Sequence, residues 1–145
     1  MIAMLRQLLG EAAAPDADKH DLHLAAAALL YEVARADGQI DRDELDTLLD
    51  RLEQRWQLPR AQVKEKFQQA ETAAEGATDY FQFTRSLRAH WSAEQRLELI
   101  VDMWAVAHAD GETHPHEEYV IRKVADLLYV AHSDFIRARH LIRGH

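Results

Sequence analysis

Four carboxylates recur in one pattern along the chain. Asp37-Gly38 is followed six residues after the glycine by Glu44, and Asp110-Gly111 is followed at the same distance by Glu117. Carboxylate oxygens are the ligands that hard divalent ions take, and His114, inside the second stretch, adds a softer nitrogen donor. A shift of 73 residues lays Val33-Ala34-Arg35-Ala36-Asp37-Gly38 on Val106-Ala107-His108-Ala109-Asp110-Gly111, with six of the fourteen positions from Tyr31 to Glu44 identical. Each copy reads as an apolar helix, an Ala-Asp-Gly break and a second helix with Glu in its first turn. This is the pattern of an internally duplicated helix-loop-helix unit.

Counting Gly38 as the sixth position of a calcium-binding EF-hand puts Ile40 eighth and Glu44 twelfth, which matches the second half of such a loop. The first half fails. Val33 and Arg35, and Val106 and His108 in the other copy, stand where the calcium cage needs oxygen donors. Two readings remain. In the first the loops are caps without metal: Gly38 and Gly111 take the left-handed turn that ends a helix, Asp41 with Glu44 has capping-box spacing, and Pro115 with Glu117 suits a helix start. In the second, Asp37, Glu44, Asp110 and Glu117, with His114, meet around a pseudo-twofold axis as a divalent-ion site. Capping leaves Asp37 and Asp110 unexplained, since a carboxylate at a helix C-terminus faces the unfavourable end of the dipole.

The elements that must position these residues are helical. Apolar residues recur at three and four, and only five Gly and three Pro interrupt them. After a loop over Ala12 to Asp18, a helix is predicted from about Asp21 to Ala36, apolar nearly all round and therefore central. Arg42 to Trp56 follows as a surface helix with Leu45, Leu48, Leu49 and Leu52 buried. Leu58-Pro59 opens another, to about Ala74, and a segment with Tyr80, Phe81, Phe83 and Leu87 comes after Gly76. Ser92 with Gln95 caps a second very apolar helix through Val106. Pro115 and Ser133 start the last two. The fold class is all-α: a single-domain bundle of about seven to eight helices built from two related halves, with the helices centred on Leu29 and Val101 packed together. Residues 1–10 read as a short amphipathic helix docking on the domain, with a membrane-surface role as its alternative.

A chain of 145 residues with 48% hydrophobic and 29% charged residues suits one folded domain, taken as 1–145 with its core at about 22–135. The absence of cysteine excludes disulfides, thiolate metal sites and a cysteine nucleophile. A net charge of −8 argues against a nucleic-acid partner. Neither a signal peptide nor a run of about 18 apolar residues is present, so a cytoplasmic location is expected. His20 and His23 read as solvated residues at a helix start, Glu32 as the partner of Arg35, and the tryptophans as core. No Gly-rich phosphate loop, nucleophile elbow or His-Glu-x-x-His motif occurs, and catalysis is not expected.

The segments Ala36-Asp37-Gly38-Gln39-Ile40-Asp41-Arg42-Asp43-Glu44 and Ala109-Asp110-Gly111-Glu112-Thr113-His114-Pro115-His116-Glu117-Glu118 resemble the tellurite-resistance TerB family, over roughly Leu22 to Phe135. The resemblance implies a compact helical domain in a stress-response system, with divalent metal on Asp37, Glu44, Asp110 and Glu117. Similar domains stand at the N-terminus of DjlA-type co-chaperones, but this chain lacks a J-domain's His-Pro-Asp. The expected function is a non-enzymatic module binding a divalent ion (calcium, magnesium, manganese or zinc) and a protein partner. The alternatives are a metal-dependent hydrolase using the same carboxylates and a metal-free acidic interaction domain.

Overall fold

A computed structural model of the chain describes residues 15–144, so the segment over 1–10 lies outside the described residues. Seven helices and no strand occur among them: α1 Pro15–Ala34, α2 Arg42–Trp56, α3 Arg60–Glu75, α4 Phe81–His90, α5 Ala93–Ala107, α6 Pro115–Leu127 and α7 His132–Arg143. The all-α class and the helix order agree with the sequence reading. Helix α1 begins at Pro15, in what the sequence suggested was a loop. Proline at a first helical position loses no needed N–H and has φ already set, so it starts the helix as readily as it interrupts a chain.

Helix α1 is central because it has almost no polar side over its second half. Ala25 to Leu30, Val33 and Ala34 are all buried, and α2, α3, α4, α5 and α6 pack around them. Its run of alanines lets neighbouring backbones come close, and Leu29, Leu30 and Val33 fill the space between. Helix α5 is the second core element through Ile100, Met103, Trp104 and Val106. Leu29 is fully buried as expected, but Val101 is only half-buried, because it faces the side of α5 that α7 covers incompletely.

Two arginines finish the C-terminus of α6. Arg88 and Arg96 donate to the carbonyls of Leu127 and Leu128, at 3.0 and 2.8 Å. These helix-end carbonyls would otherwise lack partners, and the cations also suit the negative end of the dipole. A second clamp ties α2 to α5. Arg55 reaches both oxygens of Asp102, at 2.9 and 3.1 Å, while Arg51 approaches one of them. Asp102 is buried. Burial raises its pKa, against the pull of the Arg55 hydrogen bonds.

Candidate metal centre

The two Asp-Gly loops have the same local construction. The N–H of Arg35 donates to Tyr31, that of Ala36 to Val33 and that of Gly38 to Arg35; His108, Ala109 and Gly111 repeat these bonds to Trp104, Val106 and His108. Gly38 and Gly111 have φ of +104° and +95°. At such angles a Cβ is strained, so glycine lets each chain turn out of one helix and into the next. Loop 35–41 joins α1 to α2, and loop 108–114 joins α5 to α6.

Capping follows the same plan. Asp41 caps α2 by accepting from the Glu44 N–H at 2.7 Å, and Oε1 of Glu44 faces back to the Asp41 N–H at 3.4 Å. At the start of α6, Oε1 of Glu117 accepts from the His114 N–H at 2.9 Å. Asp110 is partly accounted for as a turn residue, because its Oδ1 accepts from the Glu112 N–H at 3.1 Å.

Capping uses only one oxygen of each glutamate. Glu44 is 2% and Glu117 0% exposed, and Oε2 of each is buried with no hydrogen-bond donor. The two carboxyls lie within hydrogen-bonding reach of each other. Two carboxylate oxygens repel unless something positive stands between them. Burial, then the hydrogen bond and charge of Glu117, pushes the Glu44 pKa up to about 10 from an ordinary 4.5. Burial raises that of Glu117 as well, with Asp37 adding to the effect and the Glu44 and His114 hydrogen bonds opposing it. The pair therefore holds a proton at neutral pH.

The remaining candidates surround this pair. His114 Nε2 stands 3.9 Å from an oxygen of Asp37 and 3.9 Å from one of Asp110, bridging the two loops. All five residues singled out in the sequence thus belong to one contiguous group at one end of the bundle. They are not drawn tight: among the described residues, no three His, Asp or Glu side chains already stand close enough to hold one metal ion. The donor chemistry fits a hard divalent ion, with oxygens from four carboxyls and two of those oxygens buried without a partner.

Other candidates sort differently. Glu32 pairs with Arg35 at 2.5 Å, as read from the sequence. His23 is not solvated. It is buried, stacks on Trp56 with ring centroids 4.4 Å apart, and has Nδ1 2.9 Å from Lys66 Nζ. Its pKa falls to about 4, through burial first and the charge of Lys66 next. Trp56 and Trp104 are core residues, whereas Phe81 is about half exposed. Sequence reasoning missed Asp102; its signal was a lone acid in the apolar run Leu99 to Val106.

The chain is thus a single helical domain whose two Asp-Gly loops bring paired acids together. Residues 23–140 match the family model described as tellurite resistance protein TerB, and the chain belongs to that family. No curated protein and no solved structure matches the chain. Among the described residues, no helix is long and apolar enough to cross a membrane.

Proposed function

We propose that the protein is a cytoplasmic, non-enzymatic TerB module of a tellurite-associated stress response, which binds a divalent ion at its paired loops and thereby alters its fit to a protein partner. The observation that carries this reading is the facing pair Glu44 and Glu117, each with one buried oxygen that capping does not use. Glu44 and Glu117, with Asp37, Asp110 and His114 beside them, would hold the ion, which would supply the positive charge that the two buried carboxylate oxygens lack. A calcium ion or a magnesium ion suits an all-oxygen set, and manganese or zinc would gain from the imidazole. Both glutamates are buried, while Asp37, Asp110 and His114 stand nearer the surface.

The partner surface lies beside the loops. Tyr119, two residues past Glu117, and Phe81 are exposed at 63% and 49%, and both line a hollow of about 570 Å³ with Arg35 and Lys123. Exposed aromatics with a few charges are the usual core of a protein contact. Neutralising the adjacent acids would change the charge such a partner meets.

Thermal unfolding of chelator-stripped protein with each ion added in turn tests the proposal, with the Asp37→Asn plus Asp110→Asn variant alongside. An ion that binds only the folded state at a hundredfold excess over Kd stabilises it by about 2.7 kcal/mol, a shift of several degrees in a domain of this size. One ion should raise the midpoint of the parent and have less effect on the variant. Equal midpoints with and without every ion would overturn the proposal.

A further inference from the structure

Away from the acidic loops, a hollow of about 410 Å³ lies between the first half of α1, the end of α2 and the start of α5. That volume falls within the range of about 300–1,000 Å³ typical of small-molecule sites. Leu22, Ala26 and Leu30 of α1 give it an apolar side, and hydrogen-bond donors make up much of the rest.

His23 is the informative donor. It lines the hollow and is 8% exposed. Its Nδ1 stands 2.9 Å from Nζ of Lys66, a residue of α3 that has no part in the lining. The ring is neutral at pH 7, because burial and then the charge of Lys66 bring its pKa down to about 4. An ammonium only donates, so Nδ1 accepts and the ring proton sits on Nε2. Nε2 occupies the ring edge away from Lys66, toward the hollow, and no group among the described residues accepts from it. Trp56 and Trp91 also line the hollow, and among the described residues neither indole N–H meets an acceptor. An indole N–H, too, can only donate.

The charges agree with the donors. Glu98 and Asp102 line the hollow but are already engaged: Arg55 holds both, at 2.5 and 2.9 Å, and Arg51 approaches Asp102. Two arginines thus offset the two acids. The charged groups that bear on His23 are Lys66, Lys19 and His20, with no acid among them, and Lys19 is itself in the lining.

We propose that this hollow is a binding site for a small organic acid with an apolar body, whose carboxylate accepts from the His23 Nε2–H beside Lys19 and whose body covers Leu22, Ala26 and Trp91. An ionised carboxylate only accepts, so it complements groups that only donate, and its charge strengthens each bond. An apolar body suits Leu22 and Trp91, which the described residues leave half-buried. The site is separate from Glu44 and Glu117 and does not rest on ion binding there.

The test titrates 3-phenylpropanoate into the full chain carrying isotope-enriched tryptophan and follows the indole N–H signals. Trp56 and Trp91 report on the hollow, while Trp104, packed against Phe135 with ring centroids 5.5 Å apart, reports on the core. The first two should shift along one saturating curve with a Kd tighter than about 5 mM, and Trp104 should move less. 3-Phenylpropanol keeps the body without the charge, 3-phenylpropylammonium reverses the charge, and acetate lacks the body. Each should bind about tenfold more weakly or worse. His23→Phe keeps the stack on Trp56 and removes the donor, and should weaken phenylpropanoate binding about tenfold. Lys19→Gln, at an exposed position, removes the charge without touching the core, and should weaken it about threefold. An unchanged Trp104 signal shows that either variant is folded, and Glu44→Gln should bind as the parent does.

Shifts of Trp56 and Trp91 that fail to saturate with a Kd tighter than about 5 mM would overturn the proposal. So would an alcohol that binds as tightly as the acid, or binding at parent strength in both His23→Phe and Lys19→Gln. Tighter binding of the ammonium than of the acid would overturn it too, since Glu98 and Asp102 would then govern the hollow as a cation site.

Discussion

Glu44 and Glu117 meet across the bundle as near mirror images: each spends one oxygen on the first turn of its own helix and leaves the other buried, without a donor, toward its counterpart. Two helix caps that would be unremarkable alone become a charged problem together. A proton shared by the pair relieves it at neutral pH, and the proposed function has a divalent ion relieve it instead.

The pair makes metal-free stability depend on pH. The folded pKa of Glu44 lies at about 10, above its ordinary 4.5. A raised carboxyl pKa stabilises fully below the unfolded value, and that contribution is lost as pH rises toward the folded one. Glu44→Gln replaces the shared proton with an amide donor to Glu117. It should flatten the decline in stability between about pH 4.5 and 10, as measured by urea unfolding across pH.

His23 works in the opposite direction. Its folded pKa of about 4 lies below the ordinary 6.5, so the unfolded chain takes up a proton first as pH falls. Stability contributed by the neutral ring is present above about pH 6.5 and lost on acidification toward 4. His23→Phe keeps the stack on Trp56 and removes the titration. Its unfolding midpoint should fall less than the parent's between those two pH values, and parallel curves would show that His23 is not the group responsible.

The clamp between α2 and α5 should behave as a buried pair with one accessible partner. Asp102→Ala leaves Arg55 with Glu98, which it also contacts, and deprives Arg51 of its partner. Since Arg55 is about a third exposed, water compensates part of the loss, and a cost of about 1–3 kcal/mol in chemical unfolding is expected. The ion response at the distant loops should be unchanged.

Gly38 and Gly111 offer a control on the loops themselves. An added Cβ meets no atom within 4 Å at either position, so the cost of Gly38→Ala or Gly111→Ala is backbone strain alone. Each should destabilise by about 1–2 kcal/mol, and by similar amounts, because the two loops share their hydrogen bonds and their φ. Calorimetric midpoints compare them directly.

Much of this architecture was legible locally. The apolar run of α1, the capping spacings of Asp41 with Glu44 and Ser92 with Gln95, and the glycines that turn each loop are properties of neighbouring residues, and they read off one strand of text. Pro15 misled because the same residue starts helices and ends them. The contact between Glu44 and Glu117 was visible only as a possibility, since 73 residues separate them and only the packing of α2 and α6 around α1 brings them together. His23 was misread for the same reason: a histidine near a helix start looks solvated until Trp56, from another helix, covers it.

The decisive measurement is isothermal titration of the metal-free protein with calcium, magnesium, manganese and zinc at pH 7, in buffers of different ionisation enthalpy, for the parent and for Glu44→Gln. An ion that displaces the shared proton should bind the parent with release of about one proton, and bind Glu44→Gln far more weakly without that release. No binding of any ion, or binding of the same strength and proton count in both proteins, would contradict a metal centre built on Glu44 and Glu117.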